Sequence, residues 1–130
     1  MKKLDSISVN IWDDYYDDGY VPNGEIQSTY IYVEDEDMPL EERKECLEFL
    51  LNYINDNIKL RGVKMWIELY DSKKEYPNLI GNAEAEKIFF KRWEIKIEHL
   101  THKQREVLVK LLNEANISMD GIPFNIYSES

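Results

Sequence analysis

Apolar and polar residues alternate along several short stretches of this chain. Ile7, Val9 and Ile11 are separated by Ser8 and Asn10, the period of a strand with one buried face. Thr29 to Val33 is β-branched and aromatic and predicts a second strand. Between them, Asp13 to Gln27 reads as a loop broken by Gly19, Pro22, Asn23 and Gly24. The period then changes. Leu40, Leu47, Leu50, Leu51, Ile54 and Ile58 keep helical spacing, and Pro39 suits the helix start because an N–H is dispensable there. Val63, Met65, Ile67 and Leu69 predict a third strand, and Trp93, Ile95 and Ile97 a fourth. The connection from Asp71 to Phe90 is long, with a short helix expected around Ala83–Phe89. Thr101 and Gln104 have capping-box spacing ahead of a second helix, carried by Leu108, Leu111, Leu112 and Ala115 to about Asn116. Phe124 and Ile126 predict a last strand.

The order β-β-α-β-β-α-β predicts a single α+β domain over residues 1–130. Without its first strand it is the ferredoxin-like split βαβ pattern. The expected architecture is an antiparallel sheet with both helices on one face and an extra N-terminal strand. Ile11, Val33, Leu47, Leu51, Ile54, Met65, Ile67, Ile95, Leu108, Leu111 and Phe124 are the expected core. The leucines of the two helices also match at an offset of 61 (Leu47 with Leu108, Leu50 with Leu111, Leu51 with Leu112), which either an internal duplication or shared helical periodicity explains.

Strand side chains alternate between faces. With the aliphatic positions turned to the helices, Trp12, Tyr30, Tyr32, Trp66, Tyr70 and Tyr127 fall on the opposite side, among Asn10, Lys64, Glu68, Glu94 and Lys96. Clustered aromatics on a sheet face mark an interface unless a loop buries them. Trp12, Tyr30, Tyr32 and Trp66 are therefore candidate interface residues, for a homodimer or for another protein.

Composition narrows the classes. The chain has 130 residues, 43% of them hydrophobic and 12% aromatic, too apolar for a disordered chain. One cysteine excludes a disulfide scaffold, and no apolar run reaches membrane-spanning length, so a cytoplasmic protein without membrane contacts is expected. The net charge of −10 is uneven: residues 1–40 carry ten carboxylates and two lysines, leaving the remainder close to neutral. That acidity disfavours direct nucleic-acid binding, which rests on cationic contacts with phosphate. It favours a protein partner with a basic surface. Asp13, Asp14, Asp17 and Asp18 form one candidate partner-binding cluster; Glu34, Asp35, Glu36 and Asp37 form another.

Few residues invite chemistry. Asp14, Asp18, Gly19, Val21 and Glu25 have calcium-loop spacing, but Tyr16 occupies a ligand position and the flanks read as strands. His99 and His102 lie near Glu98 but lack further zinc ligands. Cys46 reads as a buried thiol. No phosphate-binding glycine loop or nucleophile motif is present. No cofactor, no metal and no catalytic residue are assigned. The expected function is that of a small acidic non-enzymatic protein that binds and inhibits or neutralises another protein. Toxin-neutralising immunity proteins and virus-encoded anti-defence inhibitors that imitate nucleic acid have this profile. The alternatives are a small-molecule-binding regulatory module, with Gly62 and Gly81 as weak candidates, and a small enzyme using Glu94, Glu98 and His99.

Overall fold

A computed structural model describes residues 5–14, 25–35, 37–72 and 90–128, apart from the side chains of Glu25 and Gln27. Eight elements follow one another: β1 (Ile7–Asp14), β2 (Glu25–Val33), α1 (Leu40–Asn57), β3 (Lys64–Asp71), β4 (Lys91–Thr101), α2 (His102–Glu114), β5 (Ser118–Met119) and β6 (Ile122–Ser128). The first two strands are longer than the sequence pattern indicates, and Asp13 and Asp14 belong to β1 rather than to a loop. The expected helix around Ala83–Phe89 lies outside the described residues.

The sheet order is β3-β4-β2-β1-β6-β5. β1 pairs antiparallel with β2, β2 with β4, and β3 with β4. β1 and β6 run parallel, with Ile7 opposite Phe124 and Val9 opposite Ile126. The sheet is therefore mixed, which corrects the expectation of an antiparallel one. The first strand is not appended at an edge but inserted between β2 and β6. Strand direction along a sheet depends on which distant segments meet, and local alternation carries no record of that.

One aliphatic row from each long strand turns towards the helices. Val9 lies opposite Val33, Ile11 opposite Ile31, Ile31 opposite Ile95, and Ile67 opposite Ile95. Except for half-buried Ile67, which packs against it, these residues join Cys46, Leu47, Leu50 and Ile54 of α1 and Leu108 and Leu112 of α2 in one buried cluster. Of the expected core, Ile11, Val33, Leu47, Ile54, Ile95 and Leu108 are buried. Leu51, Met65, Ile67 and Phe124 are half-buried against the cluster, and Leu111 is half-buried as well. Leu50 takes the central place assigned to Leu51. The offset of 61 thus pairs Leu47 with Leu108 in equivalent environments, but matches buried Leu50 with half-buried Leu111, and half-buried Leu51 with buried Leu112.

Two local devices fix the β4–α2 junction. His99 adopts a left-handed backbone (φ 66°), and the alternation slips there, so that Leu100 rather than His99 follows Ile97 into the core. Thr101 then caps α2: its hydroxyl accepts from the Gln104 amide N–H, and the Gln104 side chain accepts from the Thr101 N–H, each at 3.0 Å.

Candidate protein-binding surface

The helix-free face of the sheet is organised in cross-strand rows. Trp12 on β1 lies opposite Tyr30 on β2, Tyr30 opposite Lys96 on β4, and Lys96 opposite Trp66 on β3. The side chains follow the register. Trp12 and Tyr30 stack with ring centres 5.4 Å apart. The Lys96 ammonium lies 5.8 Å from the ring centres of both Tyr30 and Trp66. Three of the four candidate interface residues thus share one row, tied together by a lysine. Such a cation between two ring faces is held by the rings' quadrupoles.

Tyr32 belongs to a second group. The Arg92 guanidinium sits 3.9 Å from its ring centre, 5.6 Å from that of Tyr70 and 5.4 Å from that of Phe90. Arg92 also donates to Glu94 at 3.2 Å. Glu94 is only 1% exposed and faces Glu68 directly across the β3–β4 ladder. Burial, opposed by Arg92, raises the Glu94 carboxyl above its ordinary range. The organising role of Arg92 is not apparent in a one-dimensional reading, although its place in β4, four residues before Lys96, puts it on the same face.

This face is not sealed. Trp12 is 39% exposed and Tyr127 54%. Tyr30, Tyr32, Trp66 and Tyr70 are half-buried. At one end, Glu34 leaves β2 exposed on the same side; its N–H donates to the Ser8 carbonyl at 2.9 Å and its carboxylate accepts from the Asn10 side chain. Exposed Asp37 and half-buried Asp35 continue this acidic margin towards Glu41 and Glu42 in the first turn of α1.

Asp13 and Asp14 lie at the opposite end of the β1–β2 hairpin, since Val9 pairs with Val33 there and Asp14 with Ser28 here. Asp13 is buried at 8% exposure, on the helix side of the sheet. It accepts from the Thr29 hydroxyl at 2.7 Å and pairs with Arg105 of α2 at 2.5 Å. Asp13 is a tie between sheet and helix, which corrects its assignment to a partner-binding surface. Asp14 remains half-buried at the strand end. Asp17, Asp18 and Glu36, and with them most of the stretch with calcium-loop spacing, lie outside the described residues.

The remaining chemical candidates are accounted for locally. His99 Nε2 is 3.9 Å from Glu98, and His102 is exposed. Among the described residues no three His, Cys, Asp or Glu side chains converge in a metal-binding group. Cys46 packs in the core with its thiol 3.8 Å from the Met38 sulfur. Burial and the nearby carboxylates of Glu42 and Glu45 push its pKa up to about 11, which keeps it protonated and a poor nucleophile. A groove of about 330 Å³ between the end of α2 and β6 is lined by Leu112, Asn113, Asn116, Phe124, Asn125 and Tyr127, together with Ile117 and Ile126. Its lining has no carboxylate, histidine or lysine, so it presents no acid–base pair.

No protein-family model, curated protein or solved structure matches this chain. The surface chemistry alone therefore guides the functional reading. No described helix is long and apolar enough to cross a membrane.

Proposed function

We propose that this protein is a small acidic binding protein that docks onto a basic surface of another protein and blocks or neutralises it. One observation carries the reading: the acidic margin of exposed Glu34 and Asp37 with half-buried Asp35 adjoins a sheet face on which Trp12 remains substantially exposed. Partly exposed aromatics beside a charged margin are the composition of a docking surface, with the rings as anchors and the charges as steering groups. The burial of Asp13 moves the weight from the first acidic cluster to the second. We further read the fold as a split βαβ arrangement of ferredoxin-like type, with β1 inserted between the first and last strands of that pattern.

The test is a charge-neutral margin. Replacing Glu34, Asp35, Glu36 and Asp37 with Gln and Asn is expected to slow association with a basic partner recovered from the native cell about tenfold at low salt, and to flatten the salt dependence of the rate. Unchanged rates across a salt titration would reject the reading.

A further inference from the structure

Among the described residues β3 (Lys64–Asp71) ends the sheet. The direction of its main-chain groups follows from one bond. The Ser72 N–H donates to the Phe90 carbonyl at 3.1 Å, in the register that places Asp71 opposite Lys91. Alternation then turns the N–H and C=O groups of the even-numbered residues of β3 towards β4, and those of Met65, Ile67 and Leu69 outward. The apolar row on the helix side is incompletely covered at this edge: Val63, Met65 and Ile67 are half-buried and Leu69 is 40% exposed. Among the described residues no strand pairs with this edge, and an unpaired edge of this length is a template for another strand.

The sequence at this edge is complementary to itself. Val63-Lys64-Met65-Trp66-Ile67-Glu68-Leu69 has Trp66 at its centre, a lysine two positions before and a glutamate two positions after. We propose that the occupant of this edge is a second copy of the chain, paired antiparallel through β3 about a two-fold axis at Trp66.

In that register Lys64 stands opposite Glu68 of the second copy, on both sides of the axis. Met65 stands opposite Ile67, Val63 opposite Leu69, and Trp66 opposite Trp66. Met65 and Ile67 are the residues whose main-chain groups point outward, so each facing pair of them exchanges two hydrogen bonds. Opposite charges and paired aromatics directly across strands are favourable contacts. The shift that centres the axis on Glu68 instead places two glutamates face to face and is disfavoured by the same rule. The lysine also meets a need within the chain. Glu68 faces Glu94 across the β3–β4 ladder and accepts a hydrogen bond from the Trp66 indole N–H at 3.0 Å. Lys64 of the second copy brings a positive charge to that like-charged pair. The dimer continues the sheet with all helices on one side, leaving Trp12 and the Glu34 margin accessible. The proposal is independent of the partner-binding reading above.

The test is a charge swap read by sedimentation. At a concentration on the order of 100 µM the wild type is expected to sediment at twice its 15.5 kDa mass. Lys64→Glu or Glu68→Lys alone places like charges opposite each other and should give a monomer. The double variant Lys64→Glu/Glu68→Lys should restore the dimer. Should either single variant fail to fold, hydrogen exchange of the wild type decides: the Met65 and Ile67 amides should exchange more slowly as concentration rises. A monomeric wild type at that concentration, single variants that stay dimeric, a double variant that stays monomeric, or concentration-independent exchange at Met65 and Ile67 would each overturn the proposal.

Discussion

On β4, Ile95 and Ile97 point towards the helices, whereas Glu94 and Lys96 point the other way. The two sets are held by different physics. The isoleucines are buried among aliphatic side chains of β1, β2, α1 and α2. Glu94 and Lys96 sit in rows of rings and charges in which the contacts are directional: Lys96 between Tyr30 and Trp66, and Glu94 with Arg92. The first face derives its stability from area removed from water, which tolerates changes of shape better than changes of polarity. The second retains partly exposed aromatic surface that a docked protein would cover. Two neighbouring residues on one strand are thus held by different kinds of contact, and the difference can be tested by substitution on each side.

The largest effect is expected on the helix face. Leu50→Ala removes a wholly buried side chain at the centre of the cluster and should cost about 2–5 kcal/mol in urea denaturation, while Leu51→Ala, half-buried one position on, should cost less. Equal costs would break the inside–outside assignment of α1. Next comes the polar tie through the sheet. Asp13→Ala leaves Arg105 without its carboxylate and should destabilise by about 1–3 kcal/mol, measured the same way. A neutral outcome would return Asp13 to the surface.

These two predictions mark what the sequence discloses. Strict alternation of Ile7, Val9 and Ile11 locates a half-buried strand; continued to position 13 it turns Asp13 inward, but that signal is lost when Asp13 is taken as the start of a loop. Its partner Arg105 lies on α2, and no local pattern joins the two. The choice of Leu50 over Leu51 depends on the angle at which α1 crosses the sheet, which helical spacing leaves open within one residue. The aromatic row was legible as shared parity, because parity is local. That Lys96 completes it required the β2–β4 and β3–β4 registers.

On the outer face the effects should be smaller. Trp12→Ala removes a stacked ring from Tyr30 and should cost roughly 0.5–1.5 kcal/mol, a loss visible as a modest fall in melting temperature. A cost matching that of Leu50→Ala would show that this face is core rather than docking surface. The smallest expected effect is the pH response of Glu94. Its raised pKa means that the folded state holds the proton more tightly than the unfolded chain, whose value is near 4.5. The ionised form therefore costs stability at neutral pH. As pH falls through the raised value towards 4.5, the wild type should gain stability relative to Glu94→Gln. A difference that stays flat with pH, in parallel denaturation series, would show that Arg92 fully offsets the burial.

The place of β1 between β2 and β6 also governs the order of events in time. Its antiparallel neighbour β2 follows it closely in the chain and can pair early, but Ile7 meets Phe124, 117 positions later. Contacts at such separation slow folding, because a long loop must close before they contribute. On a ribosome, where synthesis runs at about 5–20 residues per second, β1 waits on the order of ten seconds for its second neighbour to exist. Throughout that interval the strand that ends up in the interior of the sheet carries an open edge.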